Sequence, residues 1–108
     1  MTFTLSGQSF QALNGGAPAS YGTAASISVE CSDQAEVDRL WVALTADGGS
    51  ELQCGWLRDR WGVPWQIAPA MLPRLLADPD PAIVGRVFAA MTKMVKLDIA
   101  ALDRAAAG

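Results

Sequence analysis

The chain contains no histidine among its 108 residues. That removes the side chain that most often moves protons near neutral pH and most often ligates transition metals. Ser-His-Asp and Cys-His catalysis within the chain are excluded, as is any histidine-bearing zinc site. With only two cysteines, Cys31 and Cys54, a four-thiolate zinc site is excluded too. Two cysteines make no disulfide framework, and no feature points to export, so reduced thiols in the cytoplasm are expected. Charge is also scarce. Charged residues make up 18% of the chain, the net charge is −3, and the eight basic residues are scattered. A phosphate backbone needs a concentrated basic surface, so a nucleic-acid partner is not expected. No apolar run approaches the roughly 18 residues of a membrane span, and residues 1–10 lack the basic start and apolar stretch of a signal peptide.

What is present suits one domain. The hydrophobic fraction of 51% is ample for a core. Phe3 and Leu5 alternate with Thr2 and Thr4, Ser6-Gly7-Gln8 reads as a turn, and Ser9 to Leu13 returns as a second strand. Residues 15–24 are small and turn-rich, which predicts a loop. From Ser26 to Cys31 the alternation is clean, with Ile27, Val29 and Cys31 on one face and Ser26, Ser28 and Glu30 on the other. Asp33 followed by Glu36 has the form of a capping box. Val37, Leu40, Trp41 and Leu44 then make the stripe of an amphipathic helix that stops at Gly48-Gly49. Leu52 to Leu57 and Pro64 to Ala68 read as two strands about a turn at residues 59–62. Met71 to Leu76 reads as a short helical turn.

Asp80 with Pro81 opens another helix. Val84, Val87, Phe88, Met91 and Val95 are its expected apolar stripe, with Lys93 and Lys96 at the negative end of its dipole. A last helix starts at Asp98, with Leu97 and Leu102 placed as a hydrophobic staple. Strands followed by helices in this order predict an α+β fold.

One internal echo stands out. Gly7-Gln8-Ser9-Phe10-Gln11-Ala12 reads G-x-x-F-Q-A, and Gly62-Val63-Pro64-Trp65-Gln66-Ile67 reads G-x-x-W-Q-I. Each is a turn followed by a strand. Shared turn-and-strand chemistry accounts for such a match, and so does a duplicated unit.

The stretch Ala12-Leu13-Asn14-Gly15-Gly16, the segment Gln53-Cys54-Gly55-Trp56-Leu57-Arg58-Asp59-Arg60-Trp61-Gly62, the strand Trp65-Gln66-Ile67 and the run Leu76-Ala77-Asp78-Pro79-Asp80-Pro81 together resemble PhnB-like proteins. These carry the description 3-demethylubiquinone methyltransferase-like and belong to the glyoxalase, bleomycin-resistance and extradiol dioxygenase (vicinal oxygen chelate) superfamily. The resemblance implies two βαβββ modules whose mixed, largely antiparallel sheets curl around a cleft. Residues 26–69 would then be a whole second module, and 2–13 the last hairpin of a first module whose opening strand and helix are missing. It divides the chain into an incomplete glyoxalase-like domain over 1–70 and a helical extension over 71–108 packed on it. Sheets left with open edges imply a homodimer through strand pairing.

In that superfamily the metal ligands lie on the first and last strands of each module. Ser26 stands where metal-dependent members carry His, and Gln11 and Gln66 where they carry Glu. Hydroxyl and amide groups are poor substitutes for imidazole and carboxylate, so no metal and no other cofactor is expected. Alternation turns Ser26, Ser28, Glu30 and Gln66 toward the cleft that the resemblance implies, and the echo puts Gln11 in the matching place, as a polar lining for a small-molecule ligand. Glu30 is the one carboxylate among them, read either as a base or as a solvated strand-end residue. Cys54 has Arg58 and Arg60 nearby in sequence and no histidine to activate it. The four tryptophans read as core and interface residues.

Two functions remain open: a metal-free binding protein in the manner of the resistance branch, and an enzyme acting on a small oxygenated substrate such as a quinone precursor or an α-keto compound. A vestigial fold without ligand is a third. No glycine-rich strand-to-helix turn supports methyl transfer with a nucleotide-type cofactor.

Overall fold

A computed structural model describes residues 1–15 and 20–108. The expected loop over 15–24 and the end of the Ala12–Gly16 stretch fall partly outside the described residues. The fold is α+β, with two sheets and four α-helices among the described residues.

β1 (Thr2–Leu5) and β2 (Gln8–Gln11) form an antiparallel hairpin with Phe3 opposite Phe10. Ser6 and Gly7 both take positive φ, 47° and 79°, which matches the twist a two-residue hairpin turn needs. The second strand therefore starts at Gln8 and ends two residues earlier than the alternation predicts.

The main sheet is built from β3 (Ile27–Cys31), β4 (Ser50–Glu51), β5 (Trp56–Arg58) and β6 (Pro64–Pro69), in the order β3-β6-β5-β4. β3 and β6 are parallel, and the other pairs are antiparallel. The crossover from β3 carries α1 (Gln34–Thr45). The result is one complete βαβββ unit, as expected for residues 26–69.

α1 starts where Asp33 Oδ1 accepts the Glu36 N–H at 2.9 Å. Glu36 closes the box one residue further back than the usual form, its carboxylate accepting both the N–H and the hydroxyl of Ser32 at 3.0 Å. Those two bonds hold the Glu36 carboxyl below its ordinary range. The stripe of α1 packs on the sheet: Val37 and Trp41, with Leu40 and Leu44 beside them, meet Cys31, Leu57 and Ile67. Burial pushes the Cys31 thiol pKa up, and the nearby Glu36 charge adds to the rise.

The expected strand over 52–57 is interrupted. Cys54 and Gly55 take φ of 61° and 81°, so pairing is restricted to 50–51 and 56–58. The cause is non-local. The N–H groups of Cys54 and Gly55 donate to the Met94 and Val95 carbonyls at 2.8 and 2.7 Å, clasping the C-terminal segment. A Cβ at Gly55 would stand 2.9 Å from the Leu97 side chain and 3.1 Å from the Ile67 carbonyl, so only glycine fits.

α2 (Met71–Leu76), α3 (Pro81–Met91) and α4 (Ile99–Ala107) surround a second core of Leu72, Val87, Leu97 and Leu102. The caps are those the sequence offers: Asp80 accepts from Ala82 N–H, and Asp98 from Ala101 N–H. The stripe of α3 differs from the expected one. Ile83, Val87 and Met91 face inward, while Phe88 is exposed. The helix ends at Met91 so that residues 94 and 95 can reach Cys54 and Gly55. Val95 accordingly joins the core under α1. Lys96 leaves the dipole of α3 and pairs with Asp38 of α1 at 2.8 Å, and that bond, with a second from Gln34, holds the Asp38 carboxyl below its ordinary range.

Candidate functional site

With Val29, Cys31, Leu57 and Ile67 committed to the core under α1, period-two alternation turns their neighbours to the opposite face. Register then sets Ser28 beside Gln66 and Gln66 beside Trp56, a row running across β3, β6 and β5. Gln66 Nε2 donates to Ser26 Oγ at 2.7 Å.

This row lines a cavity of about 320 Å³ between the sheet and the C-terminal helices. Ser28, Gln66 and Trp56 form its sheet side, and Leu72, Leu76 and Met91 face them from the helices. A mainly apolar hollow with a few polar groups at one side is the usual form of a small-ligand pocket. A second, more open hollow shares Cys54 and Trp56 with it and is bounded by Thr23.

The expected site residues fall into three groups. Ser26, Ser28 and Gln66 come together. Glu30 lies on the same sheet face, in register with Ala68, but is solvent-exposed and accepts no hydrogen bond among the described residues. Gln11 lies on the hairpin opposite Thr2, exposed, and does not line the cavity. Trp56 lines both hollows, although the sequence reading grouped it with core and interface tryptophans. The alternation about Leu57 carries the signal, since a neighbour of a core residue in a strand must face the other way.

Cys54 lines the cavity as a free, half-buried thiol. Neither nearby arginine is directed at it. Arg58 donates to the Tyr21 and Gly62 carbonyls, and Arg60 pairs with Asp47 at 3.4 Å while stacking over Trp61.

A divalent cation does not fit Ser26 and Gln66. Their polar atoms bond each other, and the amide presents its nitrogen, a donor, rather than its oxygen to the hydroxyl. No cluster of three or more His, Cys, Asp or Glu residues exists among the described residues.

Asp59 is the polar residue whose part the sequence reading missed. It is buried, and its carboxylate accepts from the Trp65 indole N–H at 2.9 Å and from the N–H groups of Trp61 and Val63 at 2.9 and 3.0 Å. Burial alone pushes its pKa up, but these bonds outweigh it and the carboxyl lies below its ordinary value. Asp59 shapes the turn between β5 and β6 and thereby fixes the register of Gln66. An aspartate opening a tight turn that ends in glycine is the local signal for this role.

A family model described as 3-demethylubiquinone-9 3-methyltransferase matches residues 1–68. A solved structure, a PhnB protein from Bacillus cereus, is 31% identical over 64% of this chain, with a TM-score of 0.47. The chain spans 62% of the length of that structure. No curated protein matches the chain. The matched region ends within β6, so the helices that wall the cavity lie beyond it.

Proposed function

Since the chain belongs to the 3-demethylubiquinone-9 3-methyltransferase family, we propose a function of its own within that family: binding of a small organic molecule, without a metal, by a cytoplasmic homodimer of the glyoxalase superfamily type. The observation that carries this reading is the cavity with Ser28, Gln66 and Trp56 aligned along one side and an apolar wall along the other. Gln66 spends one N–H on Ser26 and keeps its carbonyl oxygen, and Ser28 keeps its hydroxyl, so a ligand would find both a donor and an acceptor. The Trp56 ring offers a flat apolar contact beside them.

Methyl transfer, which the family description names, is not part of the proposal. The strand-to-helix turn between β3 and α1 runs through Ser32 and Asp33 without glycine. The Asp33 carboxylate at that turn accepts the Glu36 N–H and sets a negative charge where a cofactor's phosphate would have to approach the helix. Catalysis on a quinone precursor or an α-keto compound would need a proton acceptor at the cavity. Cys54 and Glu30 are the candidates nearest in the fold, and Glu30 stands outside the lining.

Thermal-shift and calorimetric screening of the whole chain against quinones, glutathione adducts and aromatic antibiotics, with chelator and with divalent metals, tests the proposal. An organic ligand should raise Tm in chelator, and Gln66→Leu or Trp56→Ala should abolish the shift. A shift that requires metal, or stoichiometric nickel, zinc, iron or manganese in unsupplemented protein, would overturn it.

A further inference from the structure

The cavity between the sheet and the C-terminal helices has a charge pattern of its own. No charged side chain lines it among the described residues. Leu72, Leu76 and Met91 close it from the helices, and Leu97 from the segment between α3 and α4. Alternation puts two charged side chains on the same sheet face, and both stand beyond the lining, at opposite ends of β6. Glu30, in register with Ala68, is exposed at the rim. Arg58, in register with Pro64, spends its guanidinium on the Tyr21 and Gly62 carbonyls. What remains inside is neutral and lies along one row. Gln66 keeps its carbonyl oxygen and one N–H after bonding Ser26, and Ser28 keeps its hydroxyl. The Trp56 ring stands beside Gln66 on the next strand.

An ionised group carried from water into such a hollow loses its hydration and gains no counter-charge. An uncharged hydroxyl, carbonyl or amide instead exchanges water for Gln66 and Ser28 at little net cost. An anion also meets the Glu30 carboxylate at the rim as it enters. The volume of about 320 Å³ lies near the lower end of ligand pockets, roughly 300–1,000 Å³, which suits a body of about two fused rings. We infer that this cavity takes uncharged, flat ring compounds bearing one hydroxyl, carbonyl or amide at an edge, and rejects anions of the same shape. The ring lies between Trp56 and the apolar helix wall, and its polar edge meets Gln66 and Ser28. Among the compounds open to the proposed function, neutral ring compounds remain. α-Keto acids and glutathione adducts drop out, since their carboxylates would be buried without a partner.

Selection of this kind rests on the cavity being a ligand pocket, as proposed above, and matched probes separate the two readings. The full-length chain is titrated calorimetrically at neutral pH with naphthalene, 2-naphthol, 2-naphthamide and 2-naphthoate, which share one ring body. 2-Naphthol and 2-naphthamide should bind. Naphthalene should bind about three- to tenfold more weakly, for want of the hydrogen bond. 2-Naphthoate should bind at least about tenfold more weakly than the amide, since its charge goes unpaired. Gln66→Leu should weaken 2-naphthol and 2-naphthamide at least to the level of naphthalene. Ser28→Lys changes an exposed strand position, so circular dichroism should stay native. It puts a cation on the row and should raise 2-naphthoate above 2-naphthamide. Glu30→Gln should narrow the gap between the same two probes at low ionic strength, an effect that salt removes.

Wild-type protein that binds 2-naphthoate as tightly as 2-naphthamide would overturn the inference and leave the pocket reading standing. So would naphthalene binding as tightly as 2-naphthol, or an unchanged order of probes in folded Ser28→Lys. Binding of none of the four probes, where the wider screen finds an organic ligand, would overturn the inference alone. Where that screen finds none either, both readings fall.

Discussion

The hairpin β1–β2 and the pair β5–β6 carry the same G-x-x-[FW]-Q echo in very different surroundings. In the second pair, Leu57 stands opposite Trp65 under α1, Leu57 and Ile67 are fully buried, and the Trp65 indole bonds Asp59. In the first, Phe3 stands opposite Phe10, and the rings stack with centroids 5.7 Å apart while remaining 38% and 43% exposed. Leu5 beside them is 59% exposed. No helix covers that face among the described residues, and the hairpin makes no substantial contact with the sheet or the helices. Similar strands with similar turns thus reach either a core or solvent, according to whether an amphipathic helix is at hand. An isolated hairpin is marginal in water, and the aromatic pair is its main internal support.

The contrast can be broken from either side. Leu57→Ala should cost about 2–5 kcal/mol, because a fully buried side chain leaves a cavity beneath α1; denaturant unfolding followed by tryptophan fluorescence measures it. Asp59→Ala should cost about 2–4 kcal/mol, since it strands the donors that converge on the carboxylate.

Asp59→Asn sharpens the comparison through pH. A carboxyl with a lowered folded pKa contributes stability above its ordinary value of about 4, and that contribution is lost as pH falls through the folded value. Wild-type Tm should therefore drop on the acid side of pH 4, and the drop should be shallower in Asp59→Asn. The smallest effect belongs to the echo position itself. Phe10→Ala should remove about 0.5–1.5 kcal/mol of local hairpin stability and leave the main unfolding transition unmoved, with amide exchange in β1 and β2 as the readout. A Phe10→Ala effect as large as that of Leu57→Ala would show that the hairpin is part of the main cooperative unit.

Much of the fold was legible because it is local. Asp33, Asp80 and Asp98 announce three helix starts, and the alternation from Ser26 to Cys31 assigns both faces of β3. Alternation alone puts Ser26, Ser28 and Glu30 on one face of β3; it does not say that β6, with Gln66, lies beside them, nor that Gln11 stands apart on the hairpin. The features that were not legible depend on distant partners. The break at Cys54 and Gly55 answers to the Met94 and Val95 carbonyls, and the early end of α3 answers to the same clasp. Phe88 is exposed because the helix rotates Ile83 inward, a choice that neither residue dictates alone. Trp56 and Asp59 were in view as residues, but their surroundings were not.

The amide of Gln34 has a further implication. Its nitrogen donates to the Leu97 carbonyl and its oxygen accepts from the Ile99 N–H, contacts 63 and 65 residues apart in sequence. Contacts of such separation form late and slowly, since a long loop must close before they form. During synthesis the βαβββ unit would emerge complete yet unsealed, with Leu72 and the lining of the cavity open to water until the last helix follows. A chain stalled before residue 97 would therefore expose the cavity's own apolar wall and make it a surface for chaperones.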